Sequence, residues 1–199
     1  MGKIYCIIPA RYHSTRLPGK PLADIAGKPM IQRVYEQAIQ AKLPDQVIVA
    51  TDHEEIFKVV TDFGGQVMMT ASNHPTGTDR LAEVAAKLPD AQIIVNIQGD
   101  EPEIDPDVID RLIQPLLQDK EIAMATVITP MDESEMEQPG CVKAVVDQKG
   151  NALYFSRSLI PYLRTDCRLA PVYKHIGVYG YQKEFLLEFA RLSPTPLEQ

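Results

Sequence analysis

The sequence lacks most of the features that mark secreted, membrane-spanning or nucleic-acid-binding chains. Cysteine is scarce and odd in number: Cys6, Cys141 and Cys167 are widely spaced and form no C-x-x-C. That pattern argues against a disulfide framework and against a thiolate zinc site. His13, His53 and His74 show no metal-ligand spacing either. Basic residues are not in excess. Lys and Arg number 20 against 27 Asp and Glu, for a formal net charge of −7, which argues against a general nucleic-acid binder. No run approaches the roughly 18 apolar residues that a membrane span requires. The chain opens directly on the strand-like run Ile4–Ile8, with no signal-peptide cleavage pattern. A cytoplasmic location is expected, with no membrane or nucleic-acid partner. Both common glycine-rich phosphate loops, G-x-x-x-x-G-K-[ST] and G-x-G-x-x-G, are absent, as are internal repeats and low-complexity tracts.

What is present is a core. Hydrophobic residues make up 45% of the 199 and charged residues 24%, enough for one globular domain with a small lobe attached. Short β-branched runs alternate with amphipathic ones. Strands are predicted at Ile4–Pro9, Gln46–Ala50, Gln66–Met69, Gln92–Ile97 and Ile122–Ile128. Helices are predicted at Pro29–Ala41, from an Asp52 N-cap to about Phe63, at Asp79–Leu88 and at Asp105–Gln118, the last with Pro106 in its first turn. Residues 1–128 thus read as an α/β part with a Rossmann-like, mostly parallel sheet, whose ligands belong at the carboxyl ends of the strands. The rhythm changes after Thr129. Val142–Val146, Ala152–Phe155 and Val172–Tyr181 read as strands and Glu184–Leu192 as a short helix, so residues 129–199 are expected to form a small antiparallel second lobe.

The strongest chemical signal is the loop after the first strand, Pro9-Ala10-Arg11-Tyr12-His13-Ser14-Thr15-Arg16-Leu17-Pro18-Gly19-Lys20. Three cations lie within ten residues, with hydroxyls and a glycine between them. Guanidinium groups grip phosphate oxygens bidentately, an ammonium follows as a point charge, and loop amides cradle the rest. A solvated basic loop is the plainer alternative, but its place at a strand end favours a phosphate site. The second signal is Gln98-Gly99-Asp100-Glu101-Pro102, again at the end of an apolar strand. Asp100 has the hard oxygens that Mg²⁺ takes alongside substrate phosphates and water. Thr76-Gly77-Thr78-Asp79-Arg80 reads equally well as a base- or ribose-binding turn and as a helix cap. Arg157, His175 and Tyr179 are candidates to face an acidic, hydroxyl-rich substrate, although a lone histidine is more often a satisfied structural residue.

Together the segments IPARYHSTRLPGKPL, HPTGTDR, VNIQGDEP, VKAVVD, LYFSR, HIGVYGY and SPTPLEQ resemble the 3-deoxy-manno-octulosonate cytidylyltransferase (CMP-Kdo synthetase) family, from Ile4 to the last residue and in order. The resemblance implies a nucleotide-diphospho-sugar transferase type of fold. It also implies an enzyme that joins CTP and 3-deoxy-D-manno-octulosonate (Kdo) into CMP-Kdo and pyrophosphate for lipopolysaccharide synthesis. It assigns catalysis to Arg16, Lys20 and Asp100, with Mg²⁺ on Asp100. Nucleotide binding falls to Pro9, Ala10, Arg11, Ser14, Thr78 and Arg80. The Kdo pocket falls to Gln98, Arg157, His175, Tyr179, Glu198 and Gln199. A homodimer through the second lobe is implied as well. Family members continue past the Leu197-Glu198-Gln199 terminus with a helix, a strand and a second metal-binding Asp, so the second lobe is expected to be C-terminally incomplete. A cytidylyltransferase for another acidic sugar, such as sialic acid, is the alternative within the class; a nucleotide-sensing protein without turnover is the alternative outside it.

Overall fold

The computed structural model describes residues 2–13, 17–162 and 171–196. Along the chain lie β1 (Lys3–Ala10), the two-residue strands β2 (Asp24–Ile25) and β3 (Lys28–Pro29), α1 (Met30–Ala38), β4 (Gln46–Thr51), α2 (Glu54–Asp62), β5 (Val67–Met69), α3 (Gly77–Ala86), β6 (Ala91–Asn96), α4 (Pro106–Gln118), β7 (Met124–Pro130), β8 (Lys143–Val146), β9 (Ala152–Ser156), β10 (Tyr173–Gln182) and α5 (Lys183–Phe189). They form two compact units. One runs to Ala125 and resumes at Val178; the other is Thr126–Gly177.

The first unit is built on the parallel strands β5-β4-β1-β6, joined by the C-terminal half of β10, antiparallel to β6. The central strands are apolar on both faces because both are covered, as crossover helices require. On one face, α3 and α5 close over Tyr5, Ile7, Ile48, Ala50, Ile94 and Tyr181, contributing Leu81, Val84, Ala85 and Leu186. On the other, α1 packs on β1 and β4 and α4 on β6. Ile31, Val34 and Ala38 of α1 are fully buried at the spacing of one helical face. Each such aliphatic side chain contributes about 1.5–3 kcal/mol by leaving water. The parallel register aligns the strand ends, with Ala10 beside Thr51 and Ile7 beside Asn96, so the loops after β1, β4 and β6 gather along one edge.

Three of the boundaries that differ from those expected do so for a polar reason. Asp52 is not the cap of α2: the helix begins at Glu54 with His53 in the cap position and no side-chain cap bond. The Asp52 carboxylate instead accepts Arg80 Nη2 at 2.8 Å, because a guanidinium only 1% exposed must be paired. Helix α1 ends at Ala38 rather than Ala41, since the Lys42 and Leu43 amides turn away to the buried carboxylate of Asp110 at 2.9–3.1 Å. Helix α3 starts two residues early, at Gly77. Thr76 forms a capping box: its hydroxyl accepts from Asp79 N–H and the Asp79 carboxylate accepts from Thr76 N–H.

In the second unit β8 pairs antiparallel with β9 and with the start of β10. Asp147 organises the β8–β9 turn by accepting the Lys149 and Asn151 amides at 2.8 Å. Lys143 is fully buried, its ammonium donating to the Gln138 and Arg157 carbonyls at 2.8 and 3.0 Å. The division expected after residue 128 falls after Ala125, and the residues from Val178 onward return to the first unit. They do so because Tyr181 and Leu186 complete its core.

Candidate active site

The loop leaving β1 is held by its own backbone. Gly19, in the left-handed region at φ +68°, donates its N–H to the Tyr12 carbonyl at 2.8 Å. A side chain at that φ would be strained. The Tyr12 ring lies over Gly19 and stacks on His53 with centroids 3.8 Å apart. Immediately afterwards Lys20 opens a single 3₁₀ turn whose Pro21 is buried, which carries the lysine on an anchored base. Its Nζ meets Asp100 Oδ2 at 2.5 Å, across 80 residues of sequence. Both side chains are partly open to solvent. Asp100 reaches this position because Gly99 lies against β1: a Cβ there would fall 2.8 Å from the Pro9 carbonyl oxygen.

Lys20 and Asp100 form, with Pro9, Arg11, Pro21, Gly77, Gln98 and Gly99, the walls of a cleft of about 240 Å³. Arg11 reaches the Pro75 carbonyl at 3.4 Å through Nη1. Its Nη2 is buried and donates to no described group. A guanidinium with an unused, desolvated donor in a cleft wall is built to receive an anion. Pro9, Gly77 and Gln98 also border a second cleft, of about 320 Å³, completed by Thr78, Asn96, Met124, Tyr179, Tyr181 and Phe189. Among the described residues its lining bears hydroxyls and amides and no charged side chain. Burial pushes the Tyr179 phenol up. Burial, and then the neighbouring Tyr179, push Tyr181 to about 12 against the opposing hydrogen bond with Thr78. Both phenols therefore stay neutral at physiological pH.

Of the expected site residues, the first unit thus brings Pro9, Arg11, Lys20, Thr78, Gln98, Asp100 and Tyr179 to these two clefts, while Ala10 is buried and lines neither. Arg80 is different. It is buried and engaged by Asp52 and the Thr70 hydroxyl, which makes its visible work structural. Arg157 and His175 belong to the second unit. There Arg157 Nη1 donates to the Pro139 carbonyl at 2.9 Å, and His175 Nε2 lies 2.9 Å from Thr126 Oγ1, with its ring 4.8 Å from Phe155. Burial lowers the His175 pKa and keeps it neutral. Ser14, Arg16, Glu198 and Gln199 lie outside the described residues. Asn96, Tyr181 and Phe189 were not anticipated. The one available signal was an asparagine closing the apolar run Ile93–Val95.

Among the described residues no three His, Cys, Asp or Glu converge as a metal cluster. Asp100 stands as a lone carboxylate already neutralised by a cation. That donor set fits Mg²⁺, which takes one or two carboxylates and fills its remaining positions with phosphates and water.

The cytidylyltransferase family model matches residues 5–199, almost the whole chain. The chain belongs to the cytidylyltransferase family. It is therefore a nucleotidyltransferase. It is 52% identical over 205 residues to the 3-deoxy-manno-octulosonate cytidylyltransferase of Syntrophotalea carbinolica, covering 98% of this chain and 82% of the relative. With the enzyme of that name from Geobacter metallireducens it shares 52% over 208 residues, covering 98% and 81%. Among solved structures it superimposes at a TM-score of 0.93, with 45% identity, on CMP:2-keto-3-deoxy-manno-octonic acid synthetase complexed with CTP, covering 99% of this cytidylyltransferase and 81% of that chain. A cytidylyltransferase from Leptospira borgpetersenii, 19% identical at a TM-score of 0.61 over 100% of this chain and 68% of that one, shares the fold. The resemblance drawn from the motifs therefore holds along the whole chain.

Proposed function

We infer that this cytidylyltransferase joins CTP to Kdo, giving CMP-Kdo and pyrophosphate. The observation that carries the reading is the pairing of two clefts in one unit. One is charged, with Arg11 and Lys20 opposite Asp100, and the other is uncharged and hydroxyl-lined. A triphosphate suits the first, and the hydroxyl-bearing carbon chain of a sugar acid suits the second.

The reaction is an in-line displacement at the α-phosphorus. The anomeric oxygen of Kdo forms a bond to phosphorus, the bond from the α-phosphorus to the bridging oxygen of the β-phosphate breaks, and pyrophosphate carries that electron pair away. The hydroxyl proton passes to solvent. Catalysis of this kind is mainly positioning and charge neutralisation. Arg11 offers its unused Nη2 to a phosphate oxygen. Lys20, freed from Asp100, moves its ammonium to the phosphates, and Arg16 adds a further cation by the family resemblance. Asp100 would hold Mg²⁺, which when bound offsets phosphate charge and makes the sugar hydroxyl more acidic.

In this reading the enzyme works in the cytoplasm, supplies activated Kdo for lipopolysaccharide, and pairs as a homodimer. Leu153, Tyr154 and Phe155 of β9 support the last point, being 64%, 61% and 40% exposed, an apolar strand of the kind that partners cover. The test is pyrophosphate release with CTP, Mg²⁺ and Kdo, with sialic acid as competitor. Release that needs both CTP and Kdo, and is lost in Asp100→Ala and Lys20→Ala, is expected. Equal release with sialic acid would overturn the choice of sugar.

A further inference from the structure

The reaction as described leaves several buried polar atoms without a role, and among them Asn96 Oδ1 belongs to a residue that lines a cleft. Asn96 is 4% exposed. It sits at the carboxyl end of β6, level with Ile7 on one side and Tyr179 on the other. Its Oδ1 is buried and accepts no hydrogen bond from any described group. Strand alternation puts Asn96 on the face it shares with Ile94, which is part of the core beneath α3 and α5. An apolar residue of the same size would serve that core better, because a buried acceptor without a donor destabilises a fold. Folding therefore gives no reason for an asparagine here.

The surroundings supply one. Asn96 lines the 320 Å³ cleft with Thr78, Gln98, Tyr179 and Tyr181. Among the described residues no Lys, Arg, His, Asp or Glu contributes to that lining, so it suits the hydroxyl-bearing chain of a sugar acid and not a phosphate. Its polar groups are hydroxyls and amides, which recognise neutral hydroxyl-bearing carbon chains. The unmatched atom is an acceptor and needs a donor. The nucleoside of CTP offers its exocyclic amine and two ribose hydroxyls, whereas the sugar acid carries hydroxyls along nearly its whole carbon chain and so offers more donors to a lining of hydroxyls and amides. We propose that Asn96 is a substrate-binding residue whose Oδ1 accepts a hydrogen bond from a hydroxyl of the sugar acid. The proposal rests on the CTP–Kdo reading above and adds a contact to that site.

Asn96→Leu keeps the number and branching of side-chain heavy atoms and removes the acceptor. With both substrates varied, KM for Kdo rises about tenfold, as expected for one lost hydrogen bond to a buried group, and KM for CTP stays within about twofold. The variant melts no lower than the wild type, since its core has lost an unmatched polar atom. Kdo analogues each lacking one hydroxyl complete the test. The wild type discriminates against one of them by about tenfold, and Asn96→Leu does not, the non-additivity expected of a direct contact. An unchanged KM for Kdo overturns the proposal. A rise in KM for CTP overturns it by moving Asn96 to the nucleoside. A lowered melting point with both constants altered overturns it by making Asn96 structural. Should Asn96→Leu fail to fold, the wild type with the analogues still decides, and equal use of all of them overturns the contact. A wild type that releases no pyrophosphate with CTP and Kdo sinks the parent reading and this one with it.

Discussion

Arg11, Lys20 and Asp100 carry opposite duties and are expected to fail differently. Lys20 and Asp100 sit where charge shifts during the reaction, so Lys20→Met and Asp100→Asn should each lower kcat by about 10²–10³, the range seen when one preorganised charge-stabilising group is removed. Arg11 presents a donor to the bound nucleotide before and during reaction. Arg11→Met should raise KM for CTP about tenfold or more with a smaller effect on kcat, the signature of lost uniform binding. Steady-state kinetics separates the two patterns. A fall in kcat with unchanged KM in Arg11→Met would remove it from nucleotide binding.

At the scale of elements, α3 is tied into the first unit by three polar devices of different strength. The Thr76 capping box is exposed, and Thr76→Ala should cost about 1 kcal/mol in denaturant unfolding. The Arg80–Asp52 pair is nearly buried, and Asp52→Ala should cost about 3–5 kcal/mol because it strands a buried guanidinium. Equal losses in the two variants would contradict the assignment of Arg80 as a structural cation. The third device is Glu83, which accepts Lys87 Nζ at 2.6 Å, His74 Nε2 at 2.5 Å and the Ala71 amide at 2.9 Å. Burial works to raise its carboxyl, but the bonds from Lys87, His74 and Ala71 outweigh it and hold it at about 2. A carboxylate depressed on folding stabilises the fold above its unfolded pKa of about 4.5 and loses that contribution as pH falls toward about 2. Glu83→Gln should therefore be less stable by about 2 kcal/mol at pH 7. The gap should close between about pH 4.5 and 2. A gap that persists at pH 2 would mean that packing, not charge, is lost.

For the whole molecule, the exposed apolar run on β9 is the feature least suited to a lone chain. As a test of the proposed homodimer, Tyr154→Glu should shift the sedimentation profile from dimer to monomer at micromolar concentration while the first unit keeps its CTP affinity. A wild type that sediments as a monomer would leave Leu153, Tyr154 and Phe155 in need of another explanation.

Much of this protein is legible in residue order alone. The alternation of β-branched and amphipathic runs up to Ile128 announced a parallel sheet, because strand and helix periods differ and each must bury one face. The motifs announced the charged cleft, because local clusters such as Arg11–Lys20 and Gln98–Asp100 are contiguous in sequence. The tertiary structure alone decided the relations between distant residues. It set Lys20 against Asp100 and turned Asp52 from a helix cap into the partner of Arg80. It also returned Tyr179 and Tyr181 to the first unit and left Asn96 buried with an unused acceptor. Each of these depends on which strand lies beside which. Local propensity cannot encode that order; it follows from the joint burial of apolar faces and the pairing of the polar groups that burial traps.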